Sequence, residues 1–90
     1  MSISIKIVSN NEYEVTVQSN TITTHLVTLS DEVHKNLTNE KVTKEELLDF
    51  SFKFLLDREP NTSILSSFEL TIISRYFSDY EKSVKKWCSS

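Results

Sequence analysis

The sequence has no glycine and no alanine, and only one proline, one cysteine and one tryptophan. An average chain of this length would carry about six glycines. A phosphate-cradling loop, a dinucleotide-binding glycine fingerprint and a strained nucleophile elbow all need backbone that turns through positive φ or lets a ligand approach closely. None of the three is available here. The lone Cys88 cannot staple a fold, which excludes a disulfide-built secreted domain and agrees with a reducing, cytoplasmic location. Uninterrupted apolar runs reach only about three residues, against the ~18 or more that a membrane-spanning helix needs. The opening stretch MSISIKIV alternates polar and apolar residues, where a secretory leader would carry a basic start and a continuous apolar centre. Charge of one sign is also scarce. Ten Lys and Arg against thirteen Asp and Glu leave −3, so no general field draws a polyanion, and neither nucleic acid nor a membrane surface is the expected partner.

The missing residue types share GC-rich codons, and Lys outnumbers Arg eight to two. An AT-rich gene of bacterial, phage or mobile-cassette origin accounts for both facts. What is present fits one small domain. Its ninety residues bury roughly 60–65% of the unfolded chain's surface on folding.

The first thirty residues follow period two. Ile3, Ile5 and Ile7 alternate with Ser2, Ser4 and Lys6; Tyr13, Val15 and Val17 alternate with Glu12, Glu14, Thr16 and Gln18; a Thr-rich run spans Ile22 to Leu29. Ser9-Asn10-Asn11 and Ser19-Asn20 separate these runs. Asn is the best substitute for Gly where a hairpin needs left-handed backbone. The pattern predicts a three-stranded antiparallel meander with one apolar face.

From Ser30 the signals become helical. Ser30 caps a short helix to about Leu37, with Asp31 and Glu32 at its positive end. Thr43 and Glu46 form a capping box, flanked by Val42 and Leu47 as a hydrophobic staple. That helix is expected to run to about Arg58, because Pro60 turns Glu59 out of helical geometry. Along it Leu47, Leu48, Phe50, Phe52, Phe54, Leu55 and Leu56 cover an arc of roughly 240°, well beyond the stripe of an ordinary surface helix. Such a helix must be covered nearly all round, by the rest of the chain or by a second copy. Two further capping boxes, Ser66 with Glu69 and Ser78 with Glu81, predict two more helices. The first carries Leu70, Ile73 and Phe77, the second Tyr80, Val84 and Trp87.

Few residues suggest chemistry. His25 and His34 are the only imidazoles, and the sole thiol is too remote in sequence to complete a zinc site, so no metal is expected. Thr24 and His25 point to opposite faces of a strand, which makes a hydroxyl–imidazole pair geometrically poor. The carboxylates Asp57, Glu59 and Glu69 sit where helix ends are ordinarily decorated. Arg58 falls inside the apolar arc of the long helix. It either covers the helix C-terminus with its stem on Phe54, paired with Glu59 or a strand carboxylate, or binds an external anion or partner carboxylate, with Arg75 as a second cation and Glu59 as a further candidate partner contact. The tail KSVKKWCSS places three lysines beside a tryptophan, which suits either a dipole-complemented docked helix or a weak nucleic-acid surface.

The run FSFKFLLDREPNTSIL at Phe50 to Leu65, followed by Phe68, Leu70, Ile73 and the YFSDYE stretch from Tyr76, resembles a group of small uncharacterised bacterial proteins. The resemblance spans Thr23 to Glu81. It implies strands followed by helices, contributes no catalytic residue, and places Arg58, Glu59, Pro60 and Ser63 inside the shared pattern. This chain has Ser78 where a proline is expected.

The expected architecture is therefore α+β in one domain of residues 1–90. A three-stranded antiparallel meander occupies 1–29, and three to four helices over 30–90 pack on one face. The expected role is a protein–protein interaction module acting as a homodimer. Its interface would draw on Phe50, Phe52, Phe54, Tyr80, Val84 and Trp87. No cofactor is expected, and the absence of a catalytic constellation leans away from an enzyme. Two alternatives remain. One is a small-molecule or anion-binding protein, or an enzyme of unrecognised type, with a pocket near Phe50, Phe52 and Phe54 and with Arg58 at its mouth. The other is a regulator or antitoxin-like DNA binder using Lys82 to Lys86.

Overall fold

In the computed structural model, which describes residues 2–89, period-two alternation becomes β1 (Ser2–Ile7), β2 (Glu12–Gln18) and β3 (Ile22–Thr28). These pair antiparallel, with Ile3, Ile5 and Ile7 opposite Val17, Val15 and Tyr13, and Tyr13, Val15 and Val17 opposite Val27, His25 and Thr23. All of these residues therefore share one face, and Tyr13, Val15, Val17, His25 and Val27 are buried on it. The opposite face carries Ser2, Ser4, Lys6, Glu12, Glu14, Thr16 and Thr24, none of them buried.

The hairpin turns do not use left-handed asparagine. Among the described residues positive φ occurs only at Asn39 (53°) and Glu40 (62°), at the end of α1 (Asp31–Thr38), where Asn39 takes the left-handed cap position that glycine usually fills. The Ser30 cap forms as expected, its hydroxyl accepting the Val33 N–H.

α2 (Lys44–Leu56) opens on the complete Thr43–Glu46 capping box and stops two residues before Arg58, with Asp57 as its C-cap. Its apolar arc is largely covered within one chain. Leu47, Leu48, Phe52, Phe54 and Leu55 are buried, while Phe50 and Leu56 are half-buried. At about 1.5–3 kcal/mol for each fully buried large apolar side chain, this helix is the main stabilising element. Because the chain supplies the cover itself, an excess of apolar surface on α2 no longer argues for a paired molecule.

Part of that cover comes from an element the sequence pattern does not announce. Ser67–Glu69 is not the first turn of a helix but a strand, β4, which runs parallel to β3 with Leu26, Val27 and Thr28 opposite Ser67, Phe68 and Glu69. The fold is thus α+β with a four-stranded mixed sheet, ordered β1-β2-β3-β4, in place of a three-stranded antiparallel meander. The reason is the free edge of β3. The Leu26 N–H donates to the Ser66 carbonyl at 2.8 Å and the Leu70 N–H to the Thr28 carbonyl at 3.0 Å, while alternation buries Phe68 and Leu70 and exposes Ser67 and Glu69. A Ser66 hydroxyl cap offers one weak bond; strand pairing satisfies several backbone groups and buries a phenylalanine.

The following helix, α3 (Ile72–Tyr76), is short and starts after Thr71, which makes no side-chain cap. α4 (Tyr80–Ser89) starts one residue later than a Ser78 cap requires, and it buries Tyr80 and Val84. No helix among the described residues is long and apolar enough to cross a membrane.

Candidate functional site

Between the end of α2 and α3 lies a groove of about 420 Å³. Its floor is Leu55 from α2, Ile64, Phe68 from β4 and Ile73 from α3, all buried; Leu65 and Tyr76 at its rim are 47% and 67% exposed. Glu59 is the sole charged residue of the lining.

The wall from Pro60 to Leu65 is held by β3. Pro60, in extended backbone, ends the helical path and begins a 3-10 turn at Asn61–Ser63, closed by the Ser63 N–H on the Pro60 carbonyl at 3.0 Å. The buried Asn61 amide donates to the Thr21 carbonyl and the Thr23 hydroxyl, both at 3.1 Å. His25, 2% exposed, bonds through Nδ1 to the Leu65 carbonyl at 2.7 Å and through Nε2 to Thr23 Oγ1 at 2.8 Å. A carbonyl only accepts, so Nδ1 carries the proton and Nε2 accepts from the Thr23 hydroxyl. The donors therefore run in one direction, Asn61 N–H to the Thr23 hydroxyl, Thr23 O–H to His25 Nε2 and His25 Nδ1–H to the Leu65 carbonyl, with each of these side chains partnered. His25 also rests against Phe52, ring centroids 5.4 Å apart. Its two nitrogens are both engaged, so it presents none to a substrate; it places Leu65 at the groove's rim.

No protein-family model matches the chain, and no curated protein or solved structure matches it either. The site must be read from its own residues.

Arg58 takes the intramolecular one of the two roles open to it, with a partner that sequence spacing does not indicate. Its guanidinium lies 3.5 Å from the centre of the Phe54 ring, donates to the Phe54 carbonyl at 3.0 Å, and pairs with Asp79 at 2.9 Å. It therefore bolts the end of α2 to the start of α4. Arg75 is exposed in the last turn of α3, and no contact among the described residues joins it to Arg58. Glu59, next in sequence, has no ion pair and no side-chain hydrogen bond among the described residues, and its backbone N–H alone is tied down, to the Leu55 carbonyl. The unspent charge at this end of α2 is thus negative.

The three phenylalanines do not line one pocket. Phe52 is buried beside His25 and Phe68, Phe54 is buried against Phe77 and Tyr80, and only Phe50 reaches the outer face, where it stacks on Trp87 at 4.4 Å between centroids. A broad depression of about 490 Å³ borders Phe50, Phe54 and Trp87 together with Lys53 and Lys86. Of the residues expected at an interface, Phe52, Phe54, Tyr80 and Val84 are spent on the chain's own core, where Phe52 of α2 meets Phe68 of β4 and Phe54 of α2 meets Tyr80 of α4. Tyr80 donates its hydroxyl proton to Ser51 Oγ at 2.6 Å, since Ser51 in turn donates to the Leu47 carbonyl at 2.7 Å. Burial pushes the Tyr80 phenol well above its ordinary range, with the Ser51 bond only partly offsetting it.

Leu65, Phe68, Ile72 and Tyr76 were not legible as one surface. The alternation Ser67-Phe68-Glu69-Leu70 is the one local trace of them, too short to outweigh the competing Ser66–Glu69 capping-box spacing, which would keep Leu65 in a helical staple.

Proposed function

We propose that this protein is a protein–protein interaction module whose receiving surface is the groove between α2 and α3, and that its occupant is a short apolar segment of a partner protein carrying a lysine or arginine. The observation that carries the reading is the pairing of Leu65 and Tyr76, exposed at the rim, with a lone unpaired carboxylate at Glu59. Large exposed apolar residues beside a concave apolar floor mark interaction surfaces. A carboxylate without a partner on such a surface selects a cationic group, because a charge-assisted bond gains more where apolar walls exclude water. Rim residues that project outward favour a protein segment over a small molecule, which needs only the floor.

The test is calorimetric titration of the whole chain with two acetylated and amidated peptides, one with lysine flanked by leucine and phenylalanine, the other with glutamate in its place. The lysine peptide binds about tenfold more tightly, from one charge-assisted bond of roughly 1.5 kcal/mol. Glu59→Gln removes the preference and leaves the fold unchanged. Equal binding of both peptides by the wild-type chain, or a preference that persists in Glu59→Gln, overturns the proposal. Binding of phenethylammonium in place of the lysine peptide would do so as well, by moving the site to the small-molecule class.

A further inference from the structure

We infer that the outer edge of β1 is a self-association surface that joins the sheets of two copies of this chain, antiparallel and centred on Ile5. The hydrogen-bond pattern of the sheet fixes which groups are free. The Val8 N–H donates to the Glu12 carbonyl and the Leu29 N–H to the Asn11 carbonyl. With the registers Ile7↔Tyr13 and Thr28↔Glu12, the groups of β1 that face β2 belong to Ser2, Ser4 and Lys6. The N–H and C=O groups of Ile3, Ile5 and Ile7 therefore point away from the sheet, since backbone groups alternate in direction along a strand. β1 is the terminal strand of the order β1-β2-β3-β4, and nothing among the described residues pairs with that edge.

The two edges of the sheet are not alike. β4 is only three residues long, the kind of short edge that resists pairing. β1 is six residues long, with no proline, and carries one charge, Lys6, on the polar face. Its apolar side chains are incompletely covered. Ile3 and Ile5 are half-buried beside the core, while Ile7 is 58% and the adjacent Val8 54% exposed. A long flat edge with exposed isoleucines is a template for another strand.

The sequence of β1 is self-complementary about Ile5. In an antiparallel pair with the two-fold axis at that residue, Ile5 faces Ile5 of the second copy and Ile3 faces Ile7. Each facing pair exchanges two hydrogen bonds through the groups already shown to point outward. The isoleucines of both copies fall on the helix-covered face, so each Ile7 gains a neighbour in the other chain's Ile3. On the polar face Lys6 lies opposite Ser4, which keeps the two lysines from facing each other. The groove at the other side of the molecule, next to β4 and α3, stays open in this assembly, so the inference stands independently of the proposed function.

Sedimentation velocity of the whole chain across the micromolar range is the test. The wild-type chain shows a concentration-dependent dimer. Ile7→Lys, at an exposed position that leaves the monomer folded by circular dichroism, is monomeric, whereas Ile22→Lys, exposed on β3 and away from the edge, dimerises as wild type. Register is read from Ser4. S4E sets opposite charges against Lys6 twice across the two-fold axis and tightens the dimer by roughly 2- to 30-fold at low salt, while S4K loosens it by a similar factor. A wild-type chain that is monomeric throughout overturns the inference, as does a dimer indifferent to Ile7→Lys or to the sign of charge at Ser4.

Discussion

Replacing Thr23 by valine isolates the polar network that holds the groove wall. The two side chains have nearly the same volume, so no cavity is made and the change is confined to one hydroxyl. That hydroxyl receives the Asn61 amide at 3.1 Å and donates to His25 Nε2 at 2.8 Å. Asn61 keeps its bond to the Thr21 carbonyl, but its other N–H loses its acceptor and the buried His25 Nε2 loses the hydroxyl that donates to it. Leaving one buried acceptor unmatched costs about 1–3 kcal/mol. For a domain of this size each kcal/mol lowers the melting midpoint by roughly 4–8 °C, so Thr23→Val melts roughly 4–24 °C below wild type. Thr24→Val, on the opposite and exposed face of the same strand, stays within about 0.5 kcal/mol of wild type. Urea unfolding followed by tryptophan fluorescence, with an unchanged m-value, gives both figures. The imidazole nitrogen spectrum checks the same chain of reasoning separately, because it must show His25 protonated at Nδ1 and bare at Nε2. A loss below about 0.5 kcal/mol for Thr23→Val, or protonation at Nε2 alone, refutes the network as described.

Other consequences are open to the same unfolding assays. The phenol of Tyr80 is held protonated by burial above its ordinary value of 10.0, so the unfolded chain loses that proton first; stability contributed by the neutral phenol is complete below pH 10 and declines as pH rises beyond it, a slope that Tyr80→Phe removes. At the acid end Lys44, bonded to Asp31 at 2.6 Å, holds that carboxyl below its usual 3.8. The contribution is therefore present above that value and lost as pH falls through the lower folded-state one, and Asp31→Asn flattens this part of the profile. Arg58→Ala costs about 2 kcal/mol, since ring stacking, a carbonyl bond and an ion pair go together, whereas Asp79→Asn costs under about 1 kcal/mol by removing the partly exposed pair alone. Glu40→Gly relieves a side chain held at φ 62° and raises stability by up to ~1 kcal/mol, the steric cost of left-handed backbone being offset in part by glycine's greater freedom when unfolded.

Local signals made the antiparallel strands and the first two helix starts readable and left the groove dark. Three strands follow from alternation, and two helix starts follow from Ser30 and from the Thr43–Glu46 box, because those bonds close within a few residues. β4 is held by Leu26 and Thr28, some forty residues earlier, and no local pattern of three residues can compete with a capping-box spacing that arises by chance. Arg58 lying over Phe54 was legible from the helical wheel, but Asp79 as its partner was not, since that contact depends on how α4 docks. The groove draws on the end of α2, a connection, β4 and α3. No single segment carries the whole lining, with Leu55 from α2, four residues from the connection, Phe68 from β4 and three from α3, so the groove appears only once β4 is in place. The phenylalanine cluster misled for the opposite reason. It was conspicuous in sequence because the core needs it, and the core consumes it.

The most direct measurement is a backbone-amide chemical-shift map of the whole chain titrated with the lysine-bearing peptide. The account predicts that the perturbed amides cluster between Leu55 and Phe77, around Glu59, Leu65 and Tyr76. Perturbations centred instead on Phe50, Lys86 and Trp87 would contradict it.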